Sequence, residues 1–554
     1  LEQSASKKAT KAGVPPGYSG FVSALYCNAS AGLQDLLSLF IELSDRFGGG
    51  EKMLPVRFNF LGKSSVLLTD PRHIHQVFND SEHFSQSSHP QSMARFRELL
   101  GFNLISVDHD VWKVVRSRTT AILNGRPLAE HGDVMRSVME TSCLPFFERC
   151  AATQEPLDIF SSMLEFSSKV VFMAFMRLRA EEIPDHIHPA LNRLFGHVRR
   201  HVLEPSFPLW VPSPANNEFK RDRDSVRDFI QPYIERQKTL DTMMGSVIRA
   251  HTRRIPGRSD ARIPEYIASV FVGAEESGAH DLSRLSESVA KVLEARRDEP
   301  TYQLGRELAR AANEWAKATK RALSIRQEQF EAALETLLCE GGEIDRELVL
   351  QEMVSNLIGG SETTILLMTW GLYFMSERPE VQEKLHREAA ADTEHKVPLI
   401  TPSTMKERWS YVYNVLRETL RLAPPAAVFN RPVIADVTLD GFTLEKGTLV
   451  WGCQYITHRS PHVWSEPERF MPERFEQPIP AGAFFPFTLG PRMCVGMGYA
   501  HLEAAIALAT IAKYFTFECR TRDVSHEMGL TFRPDRPVMV VLKKRACEDA
   551  ISGA

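Results

Sequence analysis

The stretch MVSNLIGGSETTILLMTWGLYFM, residues 353–375, constrains the fold more than any other. Its length and pattern predict a helix that is apolar on nearly every side. Such a helix has to be surrounded by other elements, so it belongs at the centre of a large fold. Yet Gly359 and Gly360 stand in its middle, each costing about 1 kcal/mol relative to alanine. Thr363 can bond back to the Gly359 carbonyl one turn earlier and open the helix locally. Taken alone, a glycine pair of this kind more often marks close helix packing than a ligand.

The surrounding chain reads as mainly α with a small β portion. LQDLLSLFIELSDRFGGG (residues 33–50) is an amphipathic helix ended by glycines. PVRFNFLGKSSVLLTD is a hairpin turning at LGKS, and HIHQVFND resumes a helix. From residue 110 to 337 nearly every patterned segment is helical, broken by Pro-rich joints such as EPSFPLWVPSPANNEF. Strand patterns return in RPVIADVTLDGFTLEKGTLVWGCQYI, with DG and EKG as turns, and in MGLTFRPDRPVMVVLKK. A polar helix over 304–340 carries one narrow apolar stripe and reads as a surface helix. With no repeat and no clear linker, the expectation is one large domain over 18–547, between a basic, Pro-rich tail or hinge over 1–17 and a C-terminal tail over 548–554. The first segment is either a disordered tail or the hinge left by a removed anchor or targeting peptide.

A formal net charge of -4 on 554 residues gives no electrostatic footprint for nucleic acid. No run of about 18 apolar residues stands out, so no transmembrane helix is expected. Eight cysteines without a CxxC or a His-rich cluster argue against a disulfide framework or a zinc site, and favour an intracellular, reducing setting.

One cysteine has an unusual context. Cys494 lies in PFTLGPRMCVGMGYAHLEAAIALATIA, residues 486–512, where a Gly- and Pro-rich turn runs into an alanine-rich helix. Gly490 and Gly496 let the backbone bend and approach something flat and bulky. Amide N–H groups on the turn can point at a sulfur anion, and the helix N-terminus adds its dipole; both predict a lowered thiol pKa. Arg492 offers a planar fork for a carboxylate. A thiolate, a close backbone and a carboxylate-binding arginine together describe haem with proximal cysteine ligation.

FTLGPRMCVG resembles the cysteine-loop signature FxxGxRxCxG of the cytochromes P-450, through Phe487, Gly490, Arg492, Cys494 and Gly496. The resemblance implies haem b (iron protoporphyrin IX), with Cys494 as axial iron ligand, Arg492 on a propionate, and glycines that admit the porphyrin. Glu418-Thr-Leu-Arg421 resembles the ExxR motif of that family, and Pro472-Glu-Arg474-Phe475 its PERF motif. They imply a buried charged network of Glu418, Arg421 and Arg474. A second ERF copy holds Arg469, but P-x-x-F-x-PERF aligns with Pro467 and Phe470 and selects Arg474. Gly359-Gly360-Ser-Glu362-Thr363-Thr364 resembles the oxygen-binding motif (A/G)-G-x-(D/E)-T-T. It implies room for dioxygen at Gly359 and Gly360, with Glu362 and Thr363 relaying protons to it. Trp112 and Arg116 match the family's W-x-x-x-R helix, which contacts a propionate, and Arg431 is a further propionate candidate by position. His458 fits a family pattern and equally a structural histidine.

These motifs run from residue 112 to 496, so the resemblance covers most of the chain. The departure is a long stretch over about 245–340. What is implied is a single-domain cytochrome P-450 fold and a monooxygenase that inserts one atom of dioxygen into a lipophilic substrate. The pocket is expected from residues 84–105, 354–366 and 425–429. The alternative is a haem-thiolate isomerase or dehydratase acting on lipid peroxides. NAD(P)H-derived electrons would come from an external diflavin reductase or ferredoxin. Membrane association through an anchor absent from the chain and a soluble intracellular form both remain open.

Overall fold

The computed structural model describes residues 16–17, 36–60, 63–85, 104–105, 112, 116, 119–120, 123–176, 178–184, 186–203, 209, 211–233, 346–528 and 531–546. The long polar helix, the 245–340 stretch, most of the two tails and most of the 84–105 segment lie outside them. The chain divides into two compact units. One comprises Leu1–Leu99, Ile105–Val226 and Ser355–Ala554; the other comprises Leu100–Leu104 and Arg227–Val354. In the second unit the described residues are Leu104, in a turn, and two segments, 227–233 and 346–354, at the ends of two helices. The first unit carries the sheets and the core.

Its helices are α1 (Leu36–Phe47), α2 (Pro71–Asn79), α3 (Gly125–Val138), α4 (Leu144–Thr153), α5 (Ile159–Met176), α6 (Ile187–Leu203), α7 (Pro214–Ile230), α8 (Arg346–Ser376), α9 (Pro379–Ala390), α10 (Ser410–Leu422) and α11 (Met497–Tyr514). A π-helical turn, Met139–Cys143, joins α3 to α4. The strands are β1 (Val56–Phe60), β2 (Lys63–Leu68), β3 (Leu157–Asp158), β4 (Val428–Pro432), β5 (Val437–Leu439), β6 (Phe442–Leu444), β7 (Leu449–Cys453), β8 (Phe515–Cys519), β9 (His526–Met528), β10 (Phe532–Pro534) and β11 (Met539–Lys544). The fold is mainly α with small sheets, as the patterning predicts.

The largest sheet has the order β1-β2-β7-β4. The predicted hairpin forms, with Val56 opposite Leu67 and Phe60 opposite Lys63. β2 then pairs in parallel with β7, Ser65 facing Leu449, across a gap no local pattern could bridge. The DG signal becomes the β5–β6 turn, where Asp440 and Gly441 both adopt positive φ (46° and 82°), the backbone a two-residue hairpin needs.

The core rests on two helices. α11 is buried without interruption from Tyr499 to Ala512, as an alanine-rich helix closely flanked on all sides must be. In α8, Leu366 and Trp370 pack into a cluster with Phe40, Phe58 and Trp451. Each fully buried side chain of Leu or Phe size contributes about 1.5–3 kcal/mol. A search for unbroken apolar runs passes over α5. Its 18 residues are long and apolar enough to cross a membrane, but 67% of the span is buried inside the fold. Polar interruptions such as Glu165 and Lys169 mask that character in a search for unbroken runs, and they pair with each other at 2.6 Å.

Candidate active site

The cysteine loop is built from both ends. Thr488 and Gly490 take positive φ (60° and 72°). The Cys494 N–H donates to the Phe487 carbonyl at 3.0 Å and the Met493 N–H to the Gly490 carbonyl at 3.1 Å, closing the turn just before α11 begins. A Cβ on Gly490 would stand 2.6 Å from the Phe78 carbonyl oxygen. The need for glycine at 490 therefore comes from the protein's own backbone as well as from its φ. At Gly496 a Cβ would lie 3.8 Å from Cys494 Sγ, an ordinary contact.

Cys494 is exposed by accessible surface, yet burial is the first cause shifting its thiol. The thiol thus reaches accessible surface while protein atoms surround it closely. The Gly496 N–H and the charge of Arg116 pull the pKa down, but burial outweighs them and the thiol pKa is raised. The lowered pKa expected from the turn and the helix dipole is thus corrected: desolvation of a thiolate exceeds what one amide and one guanidinium return. A metal cation at the sulfur would invert that balance, since a coordinating thiol is deprotonated outright.

Three guanidiniums gather at this end of the fold. Arg492 lies over the Trp112 ring at 4.5 Å and Arg116 over the same ring at 5.9 Å. Arg431, on β4, is 5% exposed and stands over Phe78 and Phe429 at 5.3 and 5.7 Å. Burial and then the charge of Arg492 lower its pKa to about 10. Burial likewise lowers that of Arg116, while the Cys494 sulfur acts to raise it. Guanidiniums whose charge is disfavoured by burial, and at Arg431 also by Arg492, suit an anionic ligand, which would reverse the shift. An accessible thiol with arginines around it has the donor chemistry of a haem cradle: sulfur for the iron and guanidiniums for the propionates.

On α8, Thr363 Oγ1 donates to the Gly359 carbonyl at 3.0 Å and Thr364 Oγ1 to that of Gly360 at 3.0 Å. The helix nonetheless stays α-helical through this segment, so the expected local opening does not form. Gly359 is exposed between the buried Ile358 and the half-buried Gly360, and Thr363 is half-buried. A Cβ on Gly359 would meet only Ile105 Cδ1, at 3.8 Å, and one on Gly360 nothing within 4 Å. Ile105 is 44% exposed. Of the other pocket candidates, Phe84 is fully buried while Ala426 is exposed.

Glu362 points elsewhere. It is 5% exposed and accepts from Thr531 Oγ1 at 2.6 Å and from Arg533 Nε at 2.7 Å, with a further close contact to Arg533 Nη2. The two motif residues read as a relay thus hydrogen-bond to different partners. Sequence reasoning missed Thr531 and Arg533, since MGLTFRPDRPVMVV signals only strands.

Behind the cysteine loop, Glu418, Arg421 and Arg474 come together. Arg421 Nε and Nη2 donate to the Glu418 carboxylate at 2.8 and 2.9 Å, and Arg474 Nε donates to it at 3.0 Å. The remaining donors are satisfied by carbonyls of His458 and Pro467 for Arg421, and of Ser465 and Glu466 for Arg474. Arg469 lends its carbonyl to both arginines, while its side chain pairs with Glu466. His458 is fully buried and its Nε2 accepts the Phe485 N–H at 3.0 Å. Burial and the neighbouring arginines hold its pKa well below the ordinary histidine value, so it acts as a neutral tie between this network and the approach to the loop.

A family model described as Cytochrome P450 matches residues 38–253 and 279–541. Among curated proteins, the chain is 31% identical over 250 residues to Cytochrome P450 4V2 of Homo sapiens, covering 43% of this chain and 47% of that one. It is 34% identical over 209 residues to Cytochrome P450 3A28 of Bos taurus, covering 36% and 40%. It is 34% identical over 207 residues to Cytochrome P450 3A19 of Capra hircus aegagrus, covering 36% of this chain and 93% of that one. The chain thus spans less than half the length of the first two of these relatives.

Proposed function

Because the chain belongs to the cytochrome P-450 family, we propose that it is a haem-thiolate monooxygenase that inserts one oxygen atom from dioxygen into a lipophilic organic substrate. The observation that carries this reading is the accessible Cys494 thiol in its closed loop, with Arg116 near enough to act on its charge. Haem b bound there would supply the electron transfer and oxygen activation that no side chain provides. Cys494 would hold its iron, and Arg116, Arg431 and Arg492 would hold its propionates through charge-assisted hydrogen bonds.

The chain's own part is binding, orientation and proton handling. Thr363 keeps its hydroxyl proton directed at the Gly359 carbonyl, which leaves lone pairs on Oγ1 to accept from water on the accessible side. Ile105 and Gly359 present apolar surface to a substrate such as a fatty acid, terpenoid or sterol. Electrons come from a separate diflavin reductase or ferredoxin.

The test is turnover of the purified full chain with a diflavin reductase, NADPH and lauric acid, beside a lipid hydroperoxide alone. Oxygenated product that requires reductase and dioxygen supports the reading. Rearrangement of the hydroperoxide without reductant, and no oxygenated product from a panel of fatty acids, terpenoids and sterols, overturns it in favour of an isomerase or dehydratase. In the same assay Thr363→Ala should raise hydrogen peroxide released per NADPH about tenfold; unchanged coupling would remove Thr363 from proton handling.

A further inference from the structure

Glu362 and Thr363 are adjacent in sequence but engaged in opposite directions. The Thr363 hydroxyl turns back along α8 to Gly359. The Glu362 carboxylate turns out of α8 to the β9–β10 hairpin, where Thr531 and Arg533 both donate to Oε1. The hairpin is itself fastened to α8 and to the loop after α10. Trp370 Nε1 donates to the Phe532 carbonyl at 3.2 Å, the Phe532 N–H donates to the Pro425 carbonyl at 2.9 Å, and the Trp370 and Phe532 rings lie 5.6 Å apart. Arg533 is held over the Phe160 ring at 5.6 Å, and its side chain is 17% exposed against 6% for Glu362.

We propose that Arg533 is a positioning residue of this enzyme, which with Thr531 latches the Glu362 carboxylate to the β9–β10 hairpin and keeps it off Thr363. The inference rests on the monooxygenase reading of the same site. Removing one partner of an ion pair this buried leaves the other group without its counterpart. The latched carboxylate is engaged by Arg533 and Thr531 rather than presented to Thr363. Proton delivery through Glu362 requires the latch to open, and the rate of opening falls under the control of the hairpin. The hairpin's fastening to α8 and to Pro425 ties that opening to the segment bearing the exposed Ala426.

The test uses the haem-loaded full chain with Arg533→Gln, Arg533→Lys, Thr531→Val and Glu362→Gln. The carbon monoxide spectrum of the wild type is recorded first, so that failure of the haem-thiolate reading is seen separately. Two readouts are then compared. Hydrogen exchange of the amides at 526–528 and 531–533 should rise in Arg533→Gln and in Glu362→Gln alike, and the double variant should add nothing, because both break one contact. The solvent deuterium isotope effect on reductase-driven oxygen uptake, without added substrate, should change about twofold or more in Arg533→Gln and stay near wild type in Arg533→Lys. A purely structural arginine would leave that isotope effect unmoved. Should Arg533→Gln fail to fold, Thr531→Val carries the same expectations on a smaller scale. Additive exchange effects, or an isotope effect unchanged in every folded variant, would overturn the latch.

Discussion

Two groups of arginines in the same compact unit handle charge in opposite ways. Arg421 and Arg474 are locked on one carboxylate, Glu418, and their remaining hydrogen bonds run to carbonyls of the loop beyond. Arg116, Arg431 and Arg492 are gathered around Trp112, Cys494 and Phe78, and the pKa values of Arg116 and Arg431 are pushed down. The first group is complete within the protein and serves the fold. The second lies beside the accessible Cys494 thiol, with burial lowering the pKa of Arg116 and Arg431, and suits an anion from outside the protein. Burial alone does not tell them apart, since Arg421 and Arg431 are both buried; the Glu418 carboxylate at the centre of the first does.

The comparison is broken most forcefully at Glu418. Glu418→Gln should lower stability by about 3–5 kcal/mol, because Arg421 and Arg474 lose their counter-charge in a desolvated place. Urea unfolding measures it, and a loss no larger than that of a surface substitution would dissolve the distinction.

Glu503, on α11, sharpens the contrast as a buried carboxyl with no arginine. Neither of its oxygens has a hydrogen-bond partner; Ser167 lies near enough to lower its pKa, but not in a geometry that makes a hydrogen bond. Burial pushes the pKa up to about 8. The unfolded chain binds its proton only below the ordinary glutamate value, so between there and about 8 the folded state holds the extra proton. Stability then falls as pH rises through that window and is level on either side. The loss is on the order of a few kcal/mol, and Glu503→Gln should abolish this slope. A wild-type unfolding profile flat between pH 5 and pH 8, values on the order of the usual and shifted carboxyl pKa, would contradict it.

Gly490→Ala tests the loop that carries Cys494. Positive φ and the Phe78 carbonyl 2.6 Å from the new Cβ predict a loss of about 1–3 kcal/mol, read as a drop in Tm even without haem. If only haem binding suffered, the glycine would serve the cofactor rather than the backbone. The smallest effect is expected at Arg431. Arg431→Gln should cost the haem-free protein less stability than Glu418→Gln, because burial and Arg492 already disfavour its charge, while speeding haem loss to a scavenger globin about tenfold, the value of one charge-assisted hydrogen bond. A stability loss like that of Glu418→Gln would place Arg431 with the structural arginines.

Much of this was legible in sequence because it is local or carried by spacing. Glu418 and Arg421 share a helix face, Thr363 reaches Gly359 one turn back, and the Asp440-Gly441 turn follows from the demand for positive φ. The choice of Arg474 over Arg469 rested on the resemblance, and the side chains separate accordingly. What could not be read depends on distant pairings. Glu362 meets Arg533 across 171 residues, and β2 joins β7 in parallel; no periodicity encodes either. The thiol shift was misread because the sequence displays the amide and the arginine, which lower it, but not the desolvation that outweighs them. Gly490 was read as room for a cofactor because Phe78, far away in sequence, does not announce that its carbonyl passes there.

The central claim is that Cys494 binds haem iron through its thiolate, and the most direct measurement is the ferrous–carbon monoxide difference spectrum of the purified chain beside Cys494→Ser. A strongly red-shifted Soret band in the wild type, absent in the variant, is the predicted result. A band typical of histidine-ligated haem in both proteins, or no haem uptake by the wild type, would contradict it.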